Sequence, residues 1–293
     1  MANLKEIRAR ITSVNSTKQI TSAMKMVSAA KLKRASDAVL QLRPYANKMQ
    51  VILGNLSAGS DSNDNKFSNE RELKNCLVIA ITSNRGLCGG FNNNVIKAAN
   101  ILMKEYETKC NVSVLSIGKK ADDYFKHTTF NIKASDFPKH LNELYDNLTY
   151  DNVAKVVQNI MAHYLDGSID KIYIVYNKFK NAAVQEVMTE QFLPIQKTES
   201  QTNTKNATEY ILEPSRAEIV ADLIPRTLKL QLFKALLDSF ASEHGARMTA
   251  MHKATDNAQE MLKSLKLTYN KARQAAITNE ILEIVGGAEA LNG

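Results

Sequence analysis

Apolar residues recur at alternating spacings of three and four over about the first fifty residues of the chain and again over about the last seventy. This seven-residue repeat is typical of a helix that buries a narrow stripe against a second helix in a left-handed supercoil. Helices over residues 3–57 and 222–285 would be roughly 80 Å and 95 Å long at 1.5 Å per residue. A globular core of this size needs no such helices, so the pattern predicts a long coiled coil built from the two ends of the chain.

The two helices flank a domain whose own ends must lie close together, so we expect them to pair antiparallel. The N-terminal stripe consists of Leu4, Ile7, Ile11, Val14, Leu32, Ala35, Val39, Leu42, Ala46, Met49, Leu53 and Leu56. The C-terminal stripe consists of Phe233, Leu237, Phe240, Met251, Ala254, Ala258, Met261 and Leu265, with His244 and Arg247 at the same spacing.

One stretch of the N-terminal stripe is irregular. The repeat reaches positions 18, 21, 25 and 28, which are polar, while apolar residues stand at Ile20, Met24 and Val27. The apolar face therefore turns by about 100° around the helix in this stretch. This predicts either a coil with unequal faces or a local stutter that the partner helix follows.

The ends of the long helices carry their own signals. Pro44 should kink or interrupt the N-terminal helix. Ser215 and Glu218 form a capping box that starts a short helix, and Pro225 follows so soon that we expect the long C-terminal helix to begin again near Asp222. Gly286 and Gly287 are a typical helix stop.

Between the helices, short apolar runs alternate with helical patterns, which favours a largely parallel sheet with helical crossovers. We expect strands over residues 76–82, 112–117, 129–132, 171–175, 184–192 and 209–212, and helices over residues 95–106, 119–125 and 152–165. The predicted fold class is α/β, with a coiled-coil helix over residues 1–57, an α/β domain over 73–213 and a second coiled-coil helix over 214–293.

The net charge of the 293-residue chain is +8, and residues 1–50 account for all of it, with ten basic and two acidic side chains. Such a basic helix could bind nucleic acid, anionic lipid or an acidic protein surface. The helix lacks the interleaved aromatics of a single-strand binder and the broad apolar face of a membrane-surface helix. An acidic protein partner fits best, and a merely solvated basic face remains the plain alternative.

The glycine-rich turn over residues 83–90 is the one candidate for chemistry, because it follows a strand and opens a helix where phosphate could bind. However, it has neither the Lys-Ser/Thr of a P-loop nor the dinucleotide fingerprint. We therefore expect a structural turn that presents Arg85 and Cys88 outward. The residues offer no catalytic arrangement, no cofactor site and no metal site, and we expect the three cysteines to be reduced thiols.

No run approaches the roughly 18 apolar residues that span a bilayer, and the start of the chain has no apolar targeting region. We therefore expect a protein that stays where it is made, in a bacterial cytoplasm. The last turns of the C-terminal helix, residues 275–291, are apolar on more than one side and rich in small residues. A single partner helix would leave part of that surface exposed unless something encloses it.

Five segments together resemble a known family. They are residues 20–27 (ITSAMKMV), 83–90 (SNRGLCGG), 246–251 (ARMTAM), 269–278 (YNKARQAAIT) and 283–288 (EIVGGA). In this order, and over essentially the whole chain, they are strongly similar to the γ subunits of F-type rotary ATP synthases. The polar loop after Ile195 has no cysteine, so the thiol switch of the chloroplast branch is absent.

The resemblance implies a non-catalytic rotor subunit without a cofactor, peripheral to the cytoplasmic face of the bacterial inner membrane. It implies that the coiled coil is a central stalk inside a ring of α and β subunits, and that a Rossmann-like domain binds the ε subunit and the membrane c-ring. Contact residues for β carried over from the family are Met24, Lys25, Arg85, Cys88, Arg273 and Gln274. Two other interpretations remain open, an α/β enzyme with a helical arm and a nucleic-acid-binding coiled coil.

Overall fold

The computed structural model describes residues 4–57, 66–68, 71–130, 137, 141–195, 213 and 215–292. The chain groups into two compact units, a smaller unit of residues 1–28 and 248–293 and a larger unit of residues 29–247. The elements in chain order are α1 (Leu4–Ser57), β1 (Asn75–Ile81), α2 (Phe91–Glu107), β2 (Asn111–Ile117), α3 (Lys119–Phe125), a 3₁₀ turn (Leu141–Tyr145), α4 (Tyr150–Leu165), β3 (Lys171–Phe179), β4 (Gln185–Leu193) and α5 (Arg216–Asn292).

A four-stranded sheet in the order β2-β1-β3-β4 forms the centre of the larger unit. β1 pairs in parallel with both β2 and β3, and β4 runs antiparallel to β3. Four of the predicted strands and all three predicted crossover helices are therefore confirmed. The prediction of a strand from residue 129 is wrong for residues 129–130, which form a turn, and residues 131–132 and 209–212 lie outside the described residues.

Both faces of the sheet are covered, which explains why β1 is an unbroken apolar run rather than an alternating one. Leu77, Ile79 and Ile81 point into a core shared with α4 and α5, while Val78 and Ala80 point into a second core shared with α2 and α3. Side chains alternate between the two faces of a strand, so one short sequence supplies both cores.

The first part of α5 belongs to the core of the larger unit. Its residues at spacing four, Val220, Ile224, Leu228 and Leu232, pack in the same cluster as the sheet. On α1, Ala46 and Met49 pack against Leu230 of α5. The division of the chain at residues 57, 73 and 213 stays a prediction, and the structure adds that the start of α5 shares its core with the α/β elements.

The beginning of α5 differs from the prediction. The backbone N–H of Glu218 donates to Ser215 Oγ at 3.3 Å, as the capping box requires, but the helix then continues through Pro225 without beginning again near Asp222. A proline inside a helix costs about 3 kcal/mol. Buried Ile224 and Leu228 lie on either side of it, and their packing on the sheet holds both segments in one helix.

The predicted stop at Gly286 and Gly287 is also wrong, because α5 extends to Asn292. Glycine costs only about 1 kcal/mol relative to alanine inside a helix, and this pair is not followed by a residue that forces the chain to turn. α1 likewise runs through Pro44 as a single helix.

In the smaller unit, α1 and α5 pair antiparallel. The Thr21 and Thr255 hydroxyl groups are hydrogen-bonded at 2.8 Å, and Lys25 Nζ lies 3.3 Å from His252 Nδ1, so residue numbers fall along α5 as they rise along α1. The buried seam includes Ile7, Thr21 and Ser28 on α1 and Met251, Ala258 and Leu262 on α5. The predicted antiparallel coiled coil is confirmed.

The seam keeps its seven-residue spacing through the polar stretch. Thr21 and Ser28 are buried there, whereas Ile20 and Val27 are 60% and 57% exposed. The packing face therefore does not turn with the apolar residues, and large apolar side chains lie on the outside of the coil. On α5, the assignment of Met261 to the seam is wrong, because Met261 is 54% exposed and the neighbouring Leu262 is buried.

Candidate functional site

The turn over residues 83–90, hereafter the glycine turn, connects β1 to α2 and is held from inside by side chains. The Ser83 N–H donates to Asn92 Oδ1 at 2.9 Å, and the Ser83 hydroxyl donates to the Arg85 carbonyl at 2.6 Å. The first bond ties the start of the turn to the first turn of α2, and the second lies within the turn itself. The turn is thereby a fixed feature of the surface of the larger unit.

Cys88 faces the protein interior, so the prediction that the turn presents it outward is wrong. Its side chain is 2% exposed, and Asn92 Nδ2 donates to its sulfur at 3.2 Å. Burial raises the pKa of the Cys88 thiol, with the nearby Ser83 hydroxyl and Arg247 opposing this effect. The physical reason is that a small apolar thiol fills the space beneath the turn and supports it.

Arg85 and Leu87 form the outward side of the turn. The Arg85 side chain is exposed as predicted, and the Leu87 side chain is 64% exposed. Leu87 has a φ of 61°, in the left-handed region, where a residue with a Cβ is strained by about 1–2 kcal/mol. Reasoning from the sequence missed Leu87, although a leucine in an otherwise polar, glycine-rich turn was a visible signal.

Arg247 of α5 holds the outer part of the turn. Its Nε donates to the Gly86 carbonyl at 3.3 Å, and its Nη2 donates to the Arg85 carbonyl at 3.1 Å. Arg247 Nη1 is also paired with Glu243 Oε1 at 2.7 Å, and both side chains are nearly buried. The guanidinium group thus uses one side for the carboxylate and the other for the turn.

His244 completes this cluster as a neutral imidazole. Burial, with the Arg247 and Lys31 charges as further causes, lowers the pKa of His244 to about 4. Its Nδ1 lies 3.4 Å from Arg247 Nη1, and its buried Nε2 has no hydrogen-bond partner in the part of the chain that the structure describes. Burial raises the pKa of Glu243, and the Arg247 charge opposes that shift.

We expect acid to destabilise the protein partly through His244. Between the unfolded pKa of about 6.5 and the folded pKa of about 4, the unfolded chain binds a proton that the folded chain does not, so stability falls as pH falls. His244→Gln should remove about 2–3 kcal/mol of the loss that the wild type shows between pH 7 and pH 4. Urea unfolding at several pH values measures this, and equal pH profiles for the two proteins would contradict it.

The other predicted contact residues lie in the smaller unit. Lys25 is half-buried and hydrogen-bonded to His252, whose ring also lies 3.5 Å from Asp256 Oδ2. Met24 is half-buried beside it, and Arg273 and Gln274 are exposed on α5. Arg85 and Cys88 thus lie in the glycine turn of the larger unit, and the other four predicted contact residues lie on the coil of the smaller unit.

The last described turns of α5 carry the apolar surface that the sequence predicts. Five large apolar side chains are each about half to three-quarters exposed there, namely Ile277, Ile281, Leu282, Ile284 and Val285. No cluster of histidine, cysteine or carboxylate side chains that could hold a metal occurs among the described residues. Within the same residues, no helix is long and apolar enough to cross a membrane.

Comparison with known proteins decides the family. A family model described as ATP synthase matches residues 3–291. The ATP synthase gamma chain of Christiangramia forsetii and that of Flavobacterium johnsoniae are each 58% identical to this chain, over 295 and 294 residues, with 100% of both chains covered. The chain belongs to the ATP synthase gamma-chain family. Membership in the gamma-chain family makes it a subunit of ATP synthase.

Solved structures contain chains with the same fold. A chain of the Euglena gracilis mitochondrial ATP synthase, in a structure of OSCP, F1 and the c-ring, matches with a TM-score of 0.66 and 23% identity over 98% of this chain and 94% of that chain. A chain from the central stalk and c-ring of the Tetrahymena thermophila enzyme matches with a TM-score of 0.57 and 22% identity, over 80% of this chain and 99% of that chain. The predicted combination of terminal coiled coil and central α/β domain is thus confirmed as the fold of this chain.

Proposed function

We propose that this chain is the central-stalk rotor that couples rotation of a membrane c-ring to ATP synthesis or hydrolysis at the β subunits. The observation that carries the proposal is the outer surface of the coiled coil. Its seam accepts polar Thr21 and Ser28, while Ile20 and Val27 lie exposed on the outside. A coil that worked alone would bury the apolar residues, so this surface is suited to a surrounding socket.

The partners follow from the family and from the assemblies in which similar folds occur. Chains of this fold have been solved in a central stalk with a c-ring and in a rotor of the Euglena gracilis enzyme. For this chain we propose α and β subunits around the coiled coil and the ε subunit and c-ring around the α/β domain. Association with the membrane, at the cytoplasmic face of a bacterial inner membrane, is through these partners.

The contact residues carried over from the family have different roles in this geometry. We propose that Arg85, which is exposed, and Met24 and Lys25, which are half-buried, meet acidic loops of β. Arg273 and Gln274, which are exposed on α5, would meet a further β loop. Cys88 is buried, so its role is to support the turn instead of touching the partner. The exposed apolar end of α5 would turn inside a sleeve formed by the ring.

The mechanism that fits these contacts is steric. A coil with unequal faces changes which β subunit it pushes as it rotates, and so changes which nucleotide site is open. Exposed ion pairs contribute only about 0–1 kcal/mol each, so individual charged contacts can break and form again at each step. The chain itself needs no active site, and we propose that it has no ATPase activity of its own.

Co-purification tests the proposal. When the chain is expressed with the α and β subunits of a related ATP synthase, it should be recovered in a complex that hydrolyses ATP. The chain purified alone should hydrolyse no ATP. The control is expression of α and β without this chain, which should give much lower turnover. ATP hydrolysis by the isolated chain, or its failure to enter the complex, would sink the proposal.

Neutralising Lys25 should have a small effect. Lys25→Gln removes one half-buried charge that is already hydrogen-bonded to His252, and a single such contact is worth about 1 kcal/mol or less. We expect ATP turnover by the assembled complex to stay within a few-fold of the wild type. Turnover measured on purified complexes checks this, and a loss of assembly would show that the contact is far stronger.

A further inference from the structure

We propose that Leu87 is the residue of the glycine turn that anchors an acidic partner loop, and that Arg247 is a positioning residue that holds Leu87 outward. The inference rests on the proposed function, because the partner is the β subunit that the turn is proposed to meet. The inference adds to that function the residue that anchors the contact, Leu87, and the residue that holds it in position, Arg247. The anchoring surface on the partner would be an apolar recess with carboxylates around it.

The backbone at Leu87 is the first observation. Its φ of 61° resembles that of Gly89, whose φ is 59°, yet Leu87 carries a large side chain that stays 64% exposed. Glycine would adopt the same backbone without strain. The leucine side chain therefore gains too little burial within the turn to explain why a strained residue stands at this position.

The second observation is how firmly the neighbours of Leu87 are held. Arg247 donates three hydrogen bonds to the carbonyls of Arg85 and Gly86, the two residues that precede Leu87. Cys88, the residue that follows, is buried and accepts a hydrogen bond from Asn92. With the backbone fixed on both sides, Leu87 projects from a rigid base, which limits the entropy that its ordering costs when a partner binds.

Arg247 is itself held in place. Its partner Glu243 lies one helical turn away at 2.7 Å, and both side chains are less than one-tenth exposed. A buried, charge-assisted pair of this kind fixes the direction of the guanidinium plane. Arg247 would act on the other subunit only by holding the glycine turn, because its own side chain is nearly buried. It is therefore a positioning residue.

The charges around Leu87 indicate the chemistry of the partner. Arg85 is exposed next to it, Lys31 and Arg85 both lie close enough to Glu243 to affect its ionisation, and Lys120 lies beside Gly86. An apolar side chain with cations beside it is complementary to an apolar recess with carboxylates at its rim. The same cations would disfavour a basic partner.

The first experiment uses the isolated chain to test whether the Glu243–Arg247 pair holds the glycine turn closed. Replacing the pair together, Glu243→Met with Arg247→Met, avoids leaving one buried charge without its partner. Without this pair the turn should loosen, and iodoacetamide should alkylate Cys88 at least tenfold faster than in the wild type. Mass spectrometry of the peptide that contains Cys88 measures this rate. Arg247→Lys keeps the positive charge but loses the several N–H donors of the guanidinium group, so it should give an intermediate alkylation rate.

The matched control for the isolated chain is Leu87→Asn. Asparagine tolerates a positive φ, so the turn should stay closed and the alkylation rate of Cys88 should stay within twofold of the wild type. If the double variant also reacts at the wild-type rate, Arg247 does not hold the turn and the proposal is wrong. This result does not depend on any partner, so it is separate from a failure of the proposed function.

The second experiment uses the complex with α and β subunits. Leu87→Asn should lower ATP turnover several-fold, while Ile101→Asn, at an exposed apolar residue of α2 outside the proposed contact with α and β, should not. The double Met variant should lower turnover as much as Leu87→Asn does, and combining all three changes should cost no more than either alone. Equal turnover for Leu87→Asn and Ile101→Asn, or effects that multiply, would overturn the proposal. If the wild-type chain does not enter the complex, the proposed function fails instead.

Discussion

Gly118→Ala is expected to destabilise the larger unit by more than about 4 kcal/mol, or to prevent it from folding. Gly118 directly follows β2 and has a φ of 103°, a conformation that residues with a side chain rarely adopt. A Cβ at this position would lie 2.1 Å from the carbonyl oxygen of Thr82. That carbonyl belongs to backbone just after β1 and cannot move without disturbing the sheet. Urea unfolding followed by circular dichroism measures the loss.

Gly89→Ala is the matched control for this prediction. Gly89 also has a positive φ, 59°, but nothing lies within 4 Å of the position its Cβ would take. Only the backbone strain of about 1–2 kcal/mol should therefore appear. If the two alanine variants lost similar stability, the close approach of Thr82 to Gly118 would not be the cause.

The sheet could be predicted because burial on both faces leaves a direct trace in the sequence. β1 is a continuous apolar run because helices cover both faces of the sheet. The predicted helix over residues 119–125 coincides with α3. Local pattern and tertiary packing agree at these positions, so the pattern alone was sufficient.

The sequence pattern was insufficient where apolar residues lie on the outer surface of the coil instead of in its seam. Ile20 and Val27 are apolar but lie outside the seam, because the coil follows the seven-residue spacing and accepts Thr21 and Ser28 inside it. Thr21 is tolerated there because its hydroxyl meets that of Thr255 across the seam. A sequence reader who assigns every apolar residue to the interior cannot see that a surface is reserved for something outside the chain.

The direction of side chains in the glycine turn was equally hidden. Cys88 and Leu87 are neighbours in sequence, yet one is buried under Asn92 and the other is exposed, because Leu87 adopts a positive φ that redirects the chain. Arg247, which holds this turn, is more than 150 residues away in sequence. Spacing along α5 placed Arg247 in a helical stripe but could not name its partner.

The contacts of α5 explain how one helix can serve both units. In the larger unit, Leu228 and Leu232 lie in the core with the sheet, and Arg247 holds the glycine turn. In the smaller unit, Met251, Ala258 and Leu262 form the coil seam instead. Different residues of α5 therefore take part in each unit, and each part of the helix follows the packing of its own unit.

Arg43→Met is expected to cost about 3 kcal/mol because it leaves a buried carboxylate without its cation. Arg43 of α1 donates to Asp238 Oδ1 of α5 at 3.3 Å and to the Phe179 carbonyl of β3 at 2.8 Å. Asp238 is fully buried, and its Oδ2 has no hydrogen-bond partner among the described residues. The loss should appear as a lower urea midpoint at pH 7, and Arg43→Met with Asp238→Asn should recover much of it.

The pH dependence separates a charge effect from a loss of packing. Burial already raises the pKa of Asp238, and the Arg43 charge opposes that rise, so removing Arg43 should raise the pKa further. An acid with a raised folded pKa binds more protons in the folded than in the unfolded state, so its protonation stabilises the fold as pH falls. The deficit of Arg43→Met relative to the wild type should therefore shrink between pH 7 and pH 5. The acid effect of His244 is common to both proteins and cancels in that difference, whereas a deficit that stayed constant would assign the loss to the aliphatic contacts of Arg43.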